Sequence, residues 1–169
     1  GGKVASVLCV IRDAFEPGEA VAEGLPFVDA MRIWRDDAIE NSVAARHAQH
    51  PVMKEIEATW GRGPLWRAAA RLFDIACALA GQLPEVQNPK YGHAIATAAR
   101  GSYAICVKVV DGHVAALTRV TPTDHLLADG GMLERSLATL PLAKAAYGPL
   151  VLEILDPCSP VRPREVEYA

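Results

Sequence analysis

The clearest pattern in the chain is a strict two-residue alternation. Tyr103, Ile105, Val107 and Val109 alternate with Ser102, Ala104, Cys106 and Lys108; beyond Asp111-Gly112, Val114, Ala116, Thr118 and Val120 repeat it. Side chains at every second position share one face of a strand. Asp-Gly between two such runs predicts a type I′ hairpin, because both central residues of that turn need positive φ. The strongest helical pattern begins at Pro64. Leu65, Ala69, Leu72, Ala76 and Leu79 fall on one face, and Arg67, Arg71 and Asp74 on the other, with Gly81 and Pro84 ending the run. Pro51 starts a shorter helix with Met53, Ile56 and Trp60 inward, and Gly61-Arg62-Gly63 breaks it.

The remaining segments are read from weaker signals. Residues 3–12 (KVASVLCVIR) are apolar and β-branched and predict a strand. Residues 13–26, with Pro17, Gly18, Gly24 and Pro26, predict a loop. Pro26 suits the first turn of a helix running to about His47, with Phe27, Ala30, Met31, Trp34 and Ala38 inward and Asp29, Arg32 and Asp36 outward. Residues 85–101 have no clear period. A short helix is expected near 131–139, a strand or helix at 150–155, and an extended tail over 159–169. The fold class is therefore α+β: a helical region followed by an antiparallel hairpin or small sheet, in a single domain over 1–169.

Composition narrows the function classes. A chain of 169 residues, 51% apolar, buries a core without disulfides or metal. Lys and Arg number 17 against 20 Asp and Glu, a net charge of −3, which argues against nucleic-acid binding. No apolar run approaches the ~18 residues of a membrane helix; residues 64–83 are interrupted by Arg67, Arg71 and Asp74. None of the four cysteines forms a C-x-x-C, so a zinc ribbon or thioredoxin-type motif is absent. Cys9, Cys77 and Cys106 read as small buried apolar residues with reduced thiols, in a cytoplasmic protein. His47 and His50 lack partners at metal spacing and read as surface residues. Trp34, Trp60 and Trp66 lie within apolar faces and read as core. The start Gly1-Gly2-Lys3, without Met, suggests a fragment or the C-terminal part of a longer chain; no signal peptide is visible.

Three motifs stand in a fixed order: Ala99-Arg100-Gly101 before the hairpin, Val120-Thr121-Pro122-Thr123 after it, and Leu155-Asp156-Pro157-Cys158 near the end. Gly63-Pro64-Leu65 opens the strongest helix. Over roughly residues 60–161 this series resembles the C-terminal half of the [NiFe]-hydrogenase large subunit, with its P-R-G, P-T-x-W-N, terminal D-P-C-x-x-C-x-x-H and G-P-L. The departures are as informative as the matches. The family holds nickel and iron through two C-x-x-C pairs; here the N-terminal pair has no counterpart, and Cys158 alone remains of the second. The bridging cysteine falls on Val161, the closing His on Arg164, the Trp-Asn on His125 and Leu126, and the proline before the arginine on Ala99. Valine cannot bridge two metals, and one thiolate cannot hold a two-metal site.

A degenerate relative with one retained cysteine is most similar to the HupK/HoxV-type hydrogenase assembly proteins. The resemblance implies a non-enzymatic maturation accessory or chaperone, a scaffold for the iron group bearing cyanide and carbon monoxide, with the hydrogenase large-subunit precursor and other maturation proteins as partners. It implies transient iron binding and no nickel. By the same resemblance, Cys158 is the iron ligand and Arg100 donates hydrogen bonds to bound cyanide, the alternative for Arg100 being a salt bridge to Asp156. Asp156 either orients Arg100 or caps the last turn. Pro122 and Thr123 contact the diatomic ligands, or merely end a strand. His125 is either a second ligand beside Cys158 or a solvated loop residue. Two rival readings stand beside the scaffold. One is the C-terminal piece of a divergent large subunit with nickel-iron redox activity. The other is an interaction module without metal.

Overall fold

A computed structural model describes residues 2–161; the end of the predicted tail, with Arg164, lies outside the described residues. The elements run α1 (Lys3–Ala14), α2 (Val43–His47), α3 (Pro51–Trp60), α4 (Pro64–Leu79), β1 (His93–Ala98), β2 (Gly101–Val110), β3 (His113–Val120), α5 (Pro122–Leu126), α6 (Met132–Ala138) and α7 (Gly148–Leu155). Short 3-10 turns occupy Arg32–Trp34 and Leu142–Tyr147. The α+β class holds. No described helix is long and apolar enough to cross a membrane.

The hairpin is as predicted. β2 and β3 pair antiparallel, with Ala104 opposite Val120 and Val110 opposite His113, and a bulge falls between Lys108 and Val109. Asp111 (φ 50°) and Gly112 (φ 76°) make the turn with both φ positive. β1, which residues 85–101 did not announce, adds a third antiparallel strand on the other side of β2, with Ala98 opposite Gly101. Helices α3 and α4 start at Pro51 and Pro64, where proline's fixed φ suits a first turn.

Four expectations are corrected. Residues 3–12 are helical: Ile11 and the following Phe15 are buried with Ala20 and Val151, and Leu65, Ala68, Leu150 and Ile154 pack on them. Tertiary packing of this i, i+4 pair overrides the β-propensity of the valines. No helix spans 26–47. The Asp29 carboxylate accepts the N–H groups of Met31 and Arg32 (2.9 and 2.7 Å), closing a local turn that competes with helix. Met31, predicted inward, is exposed, while Ile33, Ile39, Glu40 and Asn41 are buried. The inward face of α4 is also rotated: Trp66, Arg67, Ala69 and Ala70 are buried, and Ala76 and Leu79 exposed. Arg67 can face inward because Glu40 meets it there with two 2.7 Å hydrogen bonds. Of the tryptophans, Trp66 is fully buried, and Trp34 and Trp60 are half-buried. Cys9 is exposed, and Cys77 and Cys106 are half-buried, so none is the buried apolar residue expected.

One glycine fixes how the β1–β2 turn meets the body. Gly101 has φ 151°, and a Cβ there would lie 2.6 Å from the Asn41 carbonyl oxygen. Gly112 also has positive φ, but nothing lies near its Cβ position. Gly101→Ala should therefore destabilise by about 2–4 kcal/mol and Gly112→Ala by about 1 kcal/mol, read as midpoint shifts in urea unfolding. Equal shifts would refute the packing argument.

Candidate functional site

The three motifs converge. The turn Ala99-Arg100-Gly101 projects Arg100 towards the end of α7. Arg46 holds this turn from beneath, donating through Nη2 to the carbonyls of Ala98 (3.1 Å) and Gly101 (2.9 Å). Its Nη1 pairs with Asp74, which also meets His47 Nε2 at 2.9 Å. His47 is thus a half-buried partner of Asp74 and not a free surface residue, whereas exposed His50 caps α3. Asn41 grips the next residue from both sides: Oδ1 accepts from the Ser102 N–H (2.8 Å), and Nδ2 donates to the Ser102 carbonyl (3.0 Å).

Pro122 and Thr123 are placed by a capping box. The Asp124 N–H donates to Thr121 Oγ1 (3.3 Å), and the Thr121 N–H donates to Asp124 Oδ2 (2.6 Å). Thr123 is buried, and its Oγ1 accepts the Cys158 N–H at 3.0 Å. Helix α7 ends at Asp156, whose left-handed backbone (φ 53°, ψ 59°) lets its N–H donate to the Leu152 carbonyl (2.9 Å). Asp156 therefore caps the last turn and also orients Arg100, the two roles left open by the sequence. Arg100 Nε donates to the Asp156 carbonyl (2.9 Å), and Nη2 donates to Oδ1 (3.1 Å). The salt bridge weighed as the alternative for Arg100 is thus present.

Arg100, Pro122, Thr123 and Asp156 line one cavity of about 20 Å³, with Arg67 and Arg71 completing its polar wall. That volume holds one water-sized body. Three guanidiniums face two carboxylates, Asp156 and Glu40, leaving one positive charge. Cys158 stands at the exposed side, tied through its backbone to Thr123. The Thr123 side chain, then Ser159 and the Arg100 charge, hold its thiol below the ordinary range. Among the described residues no group of three or more His, Cys, Asp or Glu could hold a metal. Cys158 could thus supply one thiolate to a metal that carries ligands of its own.

His125 does neither of the things expected. It is buried; Nδ1 lies 3.0 Å from Asn41 Nδ2, and Nε2 lies 3.2 Å from the Arg35 carbonyl. Asn41 Nδ2 is a donor, so Nδ1 accepts and Nε2–H donates: a neutral ring in the core and not a ligand. Arg71, Arg46 and Asn41 were not singled out by the sequence. Arg67 and Arg71, four apart on the helix opened by Gly-Pro-Leu, were a usable signal; Arg46 and Asn41 gave none.

Burial pushes the His125 pKa down, against a smaller opposing pull from the Arg35 carbonyl. The unfolded chain then binds a proton at this ring more readily than the folded one, so stability is full above the unfolded value of about 6.5 and falls as pH drops through it to the lowered folded value. Urea midpoints measured between pH 8 and 5 should show this loss. His125→Gln should flatten the slope of that profile, even if it is less stable throughout.

No protein-family model matches the chain, and no solved structure matches it. The chain is 49% identical over 170 residues to the hydrogenase expression/formation protein HupK of Rhodobacter capsulatus, in an alignment that takes in 100% of this chain and 56% of that protein. The chain thus spans little more than half the length of the curated relative it matches. Over that span it is similar to HupK from end to end, and the likeness to a HupK-type hydrogenase assembly protein drawn from its motifs is borne out.

Proposed function

We propose that the chain is a hydrogenase maturation accessory protein, a scaffold or carrier on which the iron–cyanide–carbonyl group is assembled before transfer to the [NiFe]-hydrogenase large subunit. The observation that carries this reading is the convergence of Arg100, Pro122, Thr123 and Asp156 on one small cavity beside a single thiol, Cys158. A cavity of about 20 Å³ suits a diatomic ligand and little more. The similarity to a protein named for hydrogenase expression and formation supports the same reading.

In this reading the iron group is cargo. Cys158 supplies the thiolate, and its lowered thiol pKa favours the ligating form. Arg100 donates to the nitrogen end of cyanide, a charge-assisted hydrogen bond. Thr123 offers its hydroxyl, Pro122 its backbone carbonyl, and Asp156 holds the guanidinium in place. A single soft protein ligand binds iron firmly enough to retain it and loosely enough to release it, as a carrier requires. Nickel, which needs further thiolates in the family pattern, is not expected. The partners are the large-subunit precursor and other maturation proteins, in the cytoplasm, where the thiol stays reduced.

Cys158→Ala should leave stability within about 0.5 kcal/mol of the parent, since the side chain is exposed. It should abolish co-purification of iron with its infrared cyanide and carbonyl bands and lower hydrogenase maturation in cells, whereas Cys9→Ala should do neither. Purified protein should not oxidise hydrogen when nickel and iron are supplied. Unchanged infrared bands in Cys158→Ala would sink the assignment.

A further inference from the structure

One buried donor in the cavity wall has no acceptor. Arg67 lines the cavity that Arg100, Thr123 and Asp156 share. Its side chain is 5% exposed, against 42% for Arg100, so Arg67 belongs to the inner wall and Arg100 to the rim. Nη1 and Nη2 of Arg67 each donate to a Glu40 oxygen at 2.7 Å, and Nη1 also lies 3.5 Å from Met132 Sδ. Among the described residues the buried Nε–H of Arg67 has no acceptor. A buried cationic donor left unpaired is costly, and such groups in native proteins are ordinarily met by water, an ion or a ligand.

Charge and size narrow that choice. Glu40 answers Arg67, and the single carboxylate of Asp156 faces both Arg71 and Arg100, so one positive charge is in excess. Arg100 bonds to Asp156 through Nε and Nη2, which leaves Nη1 to serve the rim. Leu126, Met132 and Leu155 supply apolar wall, and a low-dielectric wall strengthens the pull of the excess charge on an anion. A cavity of about 20 Å³ admits a body of one or two heavy atoms and excludes sulfate. Water can accept from the Nε–H but leaves the charge unanswered. We propose that the cavity is a site for one small monovalent anion, with Arg67 as its inner hydrogen-bond donor. The anion has two possible sources. One is the cyanide of the cargo, seated by its nitrogen end, and this part rests on the scaffold reading. Carbon monoxide, neutral and a weak acceptor, gains little from the same wall, so Arg67 favours cyanide there. The other source is a free halide, which needs no iron.

The arms of the test separate the site from its source. In iron-free protein at constant ionic strength, replacing sodium gluconate with sodium chloride should shift the NMR resonance of the Arg67 Nε–H along a saturating curve. Sodium sulfate should not. A response that is absent, that fails to saturate or that sulfate reproduces means a bound water only, and overturns the proposal whether or not iron is ever bound. The N–H of Thr123, which lines the cavity, should follow the same chloride curve. Arg67→Lys keeps a cation opposite Glu40 but lacks the Nε–H. In that variant the Thr123 curve should need about tenfold more chloride, the worth of one charge-assisted hydrogen bond. An unchanged curve overturns Arg67 as the donor; if Arg67→Lys does not fold, the parent's curves still decide the site. In parent protein purified with iron from maturation-competent cells, the Arg67 resonance should already be shifted without chloride and should ignore added chloride. A chloride response that survives in iron-bearing protein overturns cyanide as the occupant and leaves the halide. Iron absent from the parent counts against the scaffold reading alone, and the chloride curve then decides the anion site.

Discussion

A guanidinium and a carboxylate buried together hold the interior of this molecule. Arg67 and Glu40 are both nearly inaccessible and meet through two 2.7 Å hydrogen bonds. Removing either partner from such a pair strands a charge in the core, at about 3–5 kcal/mol. Neither residue can drift, and each carries neighbours. The Glu40 N–H donates to the Pro26 carbonyl, and its own carbonyl accepts from Val28, so the loop over 26–40 is drawn against α4. Asn41 comes next in the chain and grips Ser102 and His125. The register of β2, and with it the place of Arg100, descends from this one pair.

The site is built from a fixed half and a suspended half. The fixed half is the β1–β2 turn, held by Arg46 and Asn41, together with the capped start of α5. The suspended half is Asp156-Pro157-Cys158. It hangs from the last turn of α7 and is fastened by Arg71, Arg100 and the Thr123 hydroxyl. Cys158 is exposed, and its backbone N–H is held by the Thr123 hydroxyl, so polar fasteners help set where the thiol stands. Segments held this way belong to the low-stability end of a fold, where movement is least costly.

Sequence legibility followed the range of the interactions. The hairpin was readable because Asp111-Gly112 and its flanking alternation are local. Helices α3 and α4 were readable because proline and glycine punctuate them. The α1 segment was misread because valine-rich runs suit either state, and a long-range contact with Val151 decides. The helix expected over 26–47 failed for a local reason: Asp29 had a turn to offer that periodicity does not register. The face of α4 was misjudged because a buried arginine is legible only once its carboxylate is known, and Glu40 lies in another element. At the site, Arg100, Pro122, Thr123 and Asp156 came from motif order, and the structure brings them to one cavity. Arg71 stood in plain view on the polar face of α4, yet polar faces are ordinarily solvated. His125 was misplaced because two partners far off in sequence bury it.

The bulge between Lys108 and Val109 bears on how the molecule avoids its own kind. β3 is an outer strand, exposed over nearly its whole length, with Val114 and Leu117 uncovered. An uncovered outer strand is a template for pairing with another chain. The bulge increases the local twist of the ribbon, so a straight incoming strand meets β3 over only a few residues. Arg119 adds a charge along the same edge. The hairpin thus carries its own guard against fibrous self-association, written into its irregularity.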